Sequence, residues 1–366
     1  MDAPIPATKE RMQWLDAMRG FTMILVVAYH VCTQTFGESI KISSALPFLV
    51  LFRMPLFFFI SGFLAYKADF SWTGHRLGMM VWKKFKIQVI PTVVFLYIAL
   101  IMRFPKFWDA LSYAMASPTK AGYWFTWCLL HMFIIYYVFS FFESKLKHKS
   151  WVPITLLWLV GLFCYAIIYM PSWFHFPKPN EESFLNYSSL IKTMEYFHFF
   201  IFGNIVHRYW NSWQRLFDSK WFFPLITVIV VFCCADIFKW HTLKFQWTNL
   251  PRTTAMYILL IIVFMFFRHY QDSFTKEHRR GRFLQYIGVR TLDIYLIHFL
   301  FLPKLKMVGG FLDANKQNFV LDTVLSIFVA IIVIGFCLLV SNILRISPFF
   351  KKYLFGRSTK PKEIKA

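Results

Sequence analysis

The stretch RGFTMILVVAYH, residues 19 to 30, sets ten uncharged residues between an arginine and a histidine. On a helix these eleven steps leave Arg19 and His30 about 20° apart around the axis and about 16 Å apart along it. The apolar run from Phe21 to Phe36 is too short to cross a bilayer alone, so a spanning helix has to begin near Trp14 or Leu15. Arg19 then lies about one turn inside the boundary, with Asp16 three residues earlier as a partner. His30 falls about two-thirds of the way across, on a face shared with Thr22, Met23 and Val26 and continued by Thr33 or Gln34.

Composition decides the solvent. Of the 366 residues, 58% are hydrophobic, 21% aromatic and only 16% charged, too little polar surface for a water-soluble globule of this length. The expectation is an all-α integral membrane protein, a single transmembrane domain over 1–366. Apolar segments long enough to cross the hydrocarbon occur near 14–36, 46–66, 87–104, 122–142, 152–171, 190–206, 221–239, 251–268, 283–303 and 319–344, giving about ten helices. The tail 345–366 reads as a basic anchor on anionic lipid. The first apolar segment carries an arginine and lacks a small-residue cleavage site, so it is expected to stay as the first span.

The loops expected inside, which include KADFSWTGHRLGMMVWKKFK and RHYQDSFTKEHRRGR, hold 25 of the 40 Lys and Arg. That bias places both termini in the cytoplasm and accounts for the formal charge of +22. Nucleic-acid binding is disfavoured, because the charge is scattered over short loops. The six cysteines, Cys32, Cys128, Cys164, Cys233, Cys234 and Cys337, all fall in apolar segments without metal-ligand spacing and read as buried small residues.

Intramembrane arginine and histidine are costly. Arg19 alone reads equally well as a snorkelling anchor, and a lone histidine is more often a packing residue. His131, His198 and His298 also lie in apolar segments, however, and a neutral imidazole is suited to general-base work. Four such residues in one chain point to function.

The LDAMRGFTMILVVAYH segment resembles the first-helix signature of the acyltransferase-3 family. RMPLFFFISGFL at 53–64, YWFTWCLLH at 123–131, HFFIFGNIV at 198–206 and IGVRTLDIYLIHFLFLP at 287–303 resemble later family segments in order and spacing. The resemblance implies a bacterial cytoplasmic-membrane enzyme moving an acyl group from cytoplasmic acyl-CoA to a hydroxyl of a surface or lipid-linked glycan. It makes His30 and Arg19 the catalytic pair, with acetyl or succinyl the expected group. Where many members are arginine-rich entering the third helix, this chain has Lys83, Lys84 and Lys86.

Acyl-CoA is a polyanion on a long thin arm. Arg19 and the lysine cluster, Lys84 and Lys86 above all, suit its phosphates, and the 16 Å to His30 is of the order of an extended pantetheine arm. No resident cofactor or metal is expected, acyl-CoA being a co-substrate. Arg53 is a candidate for acceptor binding or charge stabilisation, with a structural pair to Glu195 or Asp236 as its alternative. Tyr295 and His298, at i and i+3, are candidate lining residues, and Trp124 is a candidate for stacking on a sugar or for the outer aromatic belt. Ser61 and Gly62 read as close helix packing rather than a nucleophile site. Two other classes stay open: a glycan or lipid-linked sugar exporter using the histidines as a proton relay, and a structural partner in a synthase complex.

Overall fold

The computed structural model describes residues 12–39, 43–68, 70–146, 150–169, 183–237, 249–315 and 318–355. Every element in them is helical. The first half comprises α1 (Gln13–His30), α2 (Ala45–Ala65), α3 (Gly74–Arg103), α4 (Phe107–Ala116), α5 (Trp124–Glu143), α6 (Val152–Tyr169), α7 (Phe184–Tyr187) and α8 (Leu190–Arg208). The second comprises α9 (Trp210–Phe217), α10 (Phe222–Ile237), α11 (Asn249–His269), α12 (Arg279–Gly288), α13 (Thr291–Ile297), α14 (Lys306–Ala314), α15 (Phe319–Leu344) and α16 (Pro348–Tyr353). A π-helical turn over Val31–Phe36 continues α1 directly after His30 and ends at Gly37 in the left-handed region.

Seven helices among the described residues are long and apolar enough to cross a membrane: Gln13–Phe36, Ala45–Ala65, Gly74–Met102, Trp124–Glu143, Val152–Tyr169, Leu250–His269 and Phe319–Leu344. They coincide with seven of the ten expected segments. The other three differ for identifiable reasons. Segment 190–206 is the single helix α8, but Lys192, Glu195, His198 and Asn204 dilute its hydropathy. Segment 221–239 is α10, which breaks from α9 with a bend of 79°; the two together make an eighth candidate. Segment 283–303 is interrupted at Val289 and Arg290, so it forms α12 and the short apolar stretch Thr291–Leu300.

α8 can carry its polar groups because protein surrounds it. Phe199, Phe200 and Ile201 are fully buried, Lys192 and Glu195 pair at 2.7 Å, and α2, α5 and α6 pack against it. Close approach depends on glycine. A Cβ at Gly62 would run into the Phe200 carbonyl and one at Gly203 into the Phe59 carbonyl, so α2 and α8 touch backbone to backbone. The same relationship joins α1 to α12, where a Cβ on Gly20 would meet the Leu284 carbonyl and one on Gly288 the Asp16 carbonyl. The helix carrying Arg19 and His30 is thereby locked to the segment leading into Tyr295 and His298. Asp293, at the start of that segment, pairs with Arg345 at 2.5 Å and accepts from the Ser341 hydroxyl at 2.6 Å, tying α13 to α15.

α3 begins thirteen residues before the expected segment 87–104. Nothing between Gly74 and Pro91 breaks a helix, and the Thr73 hydroxyl accepts from the Arg76 amide at 3.3 Å as an N-cap. The lysines expected in a loop are therefore on a helix, which decides where each one faces.

Candidate active site

A cavity of about 430 Å³ runs between α1, α2, α3, α5 and α13. α1 contributes Arg19, Met23 and Val26, steps of four and three that make one helical face, and the next residue on that face is His30. α3 contributes Met80, Lys83, Lys84, Ile87 and Gln88. Lys67 enters from the segment after α2, and none of the described residues on the wall is acidic.

The basic end is held in place by packing and hydrogen bonds. Arg19 donates from Nη2 to the Thr291 hydroxyl at 3.0 Å, and its Nη1 lies 3.6 Å from Asp16, the partner expected three residues earlier. The Lys84 ammonium sits 3.5 Å from the centre of the Phe133 ring, a cation–π contact that holds the charge at the wall. Burial and the nearby Lys83 charge lower the pKa of Lys67. Lys86 does not share this face: two residues beyond Lys84 it is turned about 200° around the helix. It is exposed, with its ammonium 5.6 Å from the Trp82 ring.

Midway along the wall, Gln88 is buried and its Oε1 accepts no hydrogen bond from any described residue. Thr126 accepts from the Thr92 hydroxyl at 2.8 Å. Ser61 lines the cavity while donating back to the Phe57 carbonyl at 2.9 Å, and Gly62 beside it makes the close contact with α8. Sequence reading passed over Lys67, Gln88 and Thr126. Met80, Lys84, Ile87 and Gln88 do repeat at steps of four, three and one, but that signal is visible only once α3 is extended back to Gly74.

The far end is closed by Phe125 and Tyr295. The Tyr295 hydroxyl donates to the Gly122 carbonyl at 2.7 Å and accepts from the Phe125 amide at 3.1 Å, so it pins the start of α5 and presents its ring to the cavity. Beyond it, the His298 ring centre is 6.1 Å from that of Tyr295 and 5.1 Å from that of His30. His298 Nδ1 lies 3.0 Å from the Ile294 carbonyl, which can only accept, so the proton of the neutral ring sits on Nδ1 and Nε2 carries the lone pair. His30 is partly exposed and packs on Phe299, with ring centres 4.8 Å apart. It is not on the cavity wall. The π-helical turn also takes the following residues off the 100° spacing, so Thr33 does not extend the stripe and donates to the Tyr29 carbonyl at 3.0 Å.

Arg53 is buried, with its guanidinium 3.6 Å from the centre of the Tyr29 ring, next to His30. Glu195 is engaged by Lys192 and by the Tyr169 hydroxyl, each at 2.7 Å, and makes no ion pair with Arg53. The side chain of Asp236, the other expected partner, lies outside the described residues. Trp124, partly buried at the first residue of α5, stacks on Tyr196 with ring centres 5.6 Å apart. His131 meets Thr193 at 3.2 Å, and His198 is fully buried 2.6 Å from the Tyr257 hydroxyl, so both lie away from the cavity.

The structure thus brings together Arg19, Lys84 and Tyr295 on one cavity, with His298 and His30 in sequence behind its far end. Arg53 stands beside His30 through Tyr29. Neither a curated protein nor a solved structure matches this chain. A family model described as an acyltransferase domain, acyltransferase-3, matches residues 12–341, nearly the whole length. The chain is a multi-pass membrane acyltransferase and belongs to the acyltransferase-3 family.

Proposed function

We propose that this protein is an O-acyltransferase that takes an acetyl or succinyl group from cytoplasmic acyl-CoA and passes it to a hydroxyl of a surface or lipid-linked glycan at a bacterial cytoplasmic membrane. The observation that carries this reading is the polarity of one cavity. Arg19, Lys67, Lys83 and Lys84 gather where its α1 wall begins, the rest of its wall is largely apolar, and its far end lies one ring short of a histidine pair. A polyanionic head with a long thin arm has that shape, and a wall whose described residues include four cations and no carboxylate suits its phosphates. The unpartnered Gln88 acceptor suits an amide N–H of the arm.

In this reading the acceptor hydroxyl approaches His30 from the side away from the cavity. His30 takes the hydroxyl proton as the oxygen attacks the thioester carbonyl carbon. The tetrahedral intermediate then expels the CoA thiolate, which gains a proton, leaving an ester on the acceptor. Arg53, held on Tyr29, is the nearby cation for the charge that develops on the carbonyl oxygen.

Purified protein incubated with acetyl-CoA or succinyl-CoA and a crude envelope glycan is expected to release free CoA only when both substrates are present, and to label the glycan. Proton-coupled glycan uptake into vesicles without CoA release would favour an exporter and overturn the proposal.

A further inference from the structure

On the opposite side of the π-helical turn from the cavity, three groups far apart in sequence converge. The Cys32 thiol, the Glu38 carboxylate and the Asp322 carboxylate each offer a ligand atom within 4.8 Å of the other two, and all three residues are buried. Separations of six and 284 residues make no motif, which is why cysteine spacing gave no sign of the cluster.

Two of the three already have partners. Asp322 accepts from the Ser43 hydroxyl at 2.7 Å and from the Ala45 amide at 3.0 Å, capping the start of α2. Cys32 Sγ lies 2.9 Å from the Ser326 hydroxyl. Glu38 is the exception. It is 9% exposed, and neither carboxylate oxygen meets hydrogen-bond geometry with a described residue, since the nearby Ser43 hydroxyl is committed to Asp322. Burial, opposed by the nearby Ser43 hydroxyl and reinforced by the Asp322 charge, pushes its carboxyl up to about 7. A buried carboxylate with no hydrogen-bond partner among the described residues, beside a second carboxylate and a thiol, is costly unless a cation joins them.

We propose that Cys32, Glu38 and Asp322 form a binding site for a divalent cation of the zinc type. One thiolate and two carboxylates are a donor set that zinc accepts, with water as the fourth ligand, whereas magnesium and calcium favour oxygen alone. Tetrahedral zinc needs its ligands about 3.4–3.7 Å apart, so the three groups have to close by only about 1 Å. On binding, the thiol proton and the proton on Glu38 leave to solvent and no electron is transferred. The cation then ties three pieces together: the π-helical turn through Cys32, the segment before α2 through Glu38, and the first turn of α15 through Asp322. Cys32 is two residues beyond His30, so the site fixes the backbone that ends α1. The proposal stands without the acyl-transfer reading, because its readouts are metal content, stability and a spectrum.

The test uses the full-length detergent-solubilised protein, stripped with a chelator, exposed to zinc chloride alone and desalted. Wild type is expected to retain about one zinc per chain and to melt at a higher temperature with zinc than with magnesium or calcium. Cys32→Ser and Glu38→Gln, if monodisperse, are expected to bind zinc at least about tenfold more weakly. Cobalt chloride added to stripped wild type is expected to give a near-ultraviolet thiolate-to-cobalt band, which reads the site without any variant. Zinc retention no higher than in the Cys32→Ser protein, equal stabilisation by calcium, or cobalt binding without the thiolate band would each overturn the proposal.

Discussion

The His30 ring centre lies 5.1 Å from that of His298, and His298 in turn lies 6.1 Å from Tyr295, the residue that closes the cavity. The rings of Tyr295 and His298 therefore stand between a space suited to a phosphate-bearing donor and the partly exposed His30. Catalysis in this arrangement requires the donor's reactive end to reach past Tyr295 while its charged head stays with Arg19.

Arg19 donates to Thr291 and faces the cavity, so it is expected to hold donor phosphate rather than only anchor the helix. Charged hydrogen bonds of this kind contribute about 1.5–3 kcal/mol, so Arg19→Ala should weaken acyl-CoA binding by about ten- to a hundredfold. Arg19→Lys should recover part of the loss, keeping the charge without the fork. Isothermal titration with a non-hydrolysable acyl-CoA analogue reads this directly. Unchanged affinity in Arg19→Ala would make the residue an anchor.

The contact of α1 with α12 leaves no room at Gly20. Gly20→Ala should push the helices apart and destabilise the protein by about 1–3 kcal/mol. Gly310, where an added Cβ meets nothing within 4 Å, is the control: Gly310→Ala should be neutral or slightly stabilising. Thermal unfolding in detergent compares the two, and equal melting temperatures would contradict the close packing.

The charge bias of the loops makes a topology prediction. In a background without the native cysteines, Lys145→Cys and Lys276→Cys, both exposed, should react only with a membrane-permeant thiol reagent in intact cells. Thr119→Cys and Asn315→Cys, also exposed, should react with an impermeant one. Labelling of position 276 from outside would break the proposed orientation.

Glu38 makes the chelated protein sensitive to pH. Its folded-state value of about 7 is above the ordinary value of 4.5, so between those limits the folded chain holds a proton that the unfolded chain has lost. Stability should therefore fall as pH rises from about 4.5 to about 7, and Glu38→Gln should flatten that slope. Melting temperatures measured across this range in the presence of chelator give the answer; parallel profiles would mean that Glu38 is not the group responsible.

What the sequence revealed and what it hid follow from range. The helix carrying Arg19 and His30, its Asp16 partner and the seven helices long and apolar enough to cross a membrane were legible, because each depends on residues within a few turns of one another. The break at Val289 and Arg290 was not, since the apolar pattern runs on across it. Nor was the outward turn of Lys86, which depends on α3 starting at Gly74. The stacking of Trp124 on Tyr196 and the meeting of Cys32 with Asp322 depend on tertiary contacts that no local spacing announces.

The most direct test of the account is acyl transfer by His30→Gln measured beside its donor affinity. The variant should lose transfer by about a hundredfold or more, the scale of a missing general base, while binding acyl-CoA as wild type does and remaining monodisperse. His298→Ala, His131→Ala and His198→Ala should each cost less. Near-normal turnover in His30→Gln, with transfer abolished by one of the other three, would contradict the account and leave the Arg19 to His30 spacing as packing along one helical face.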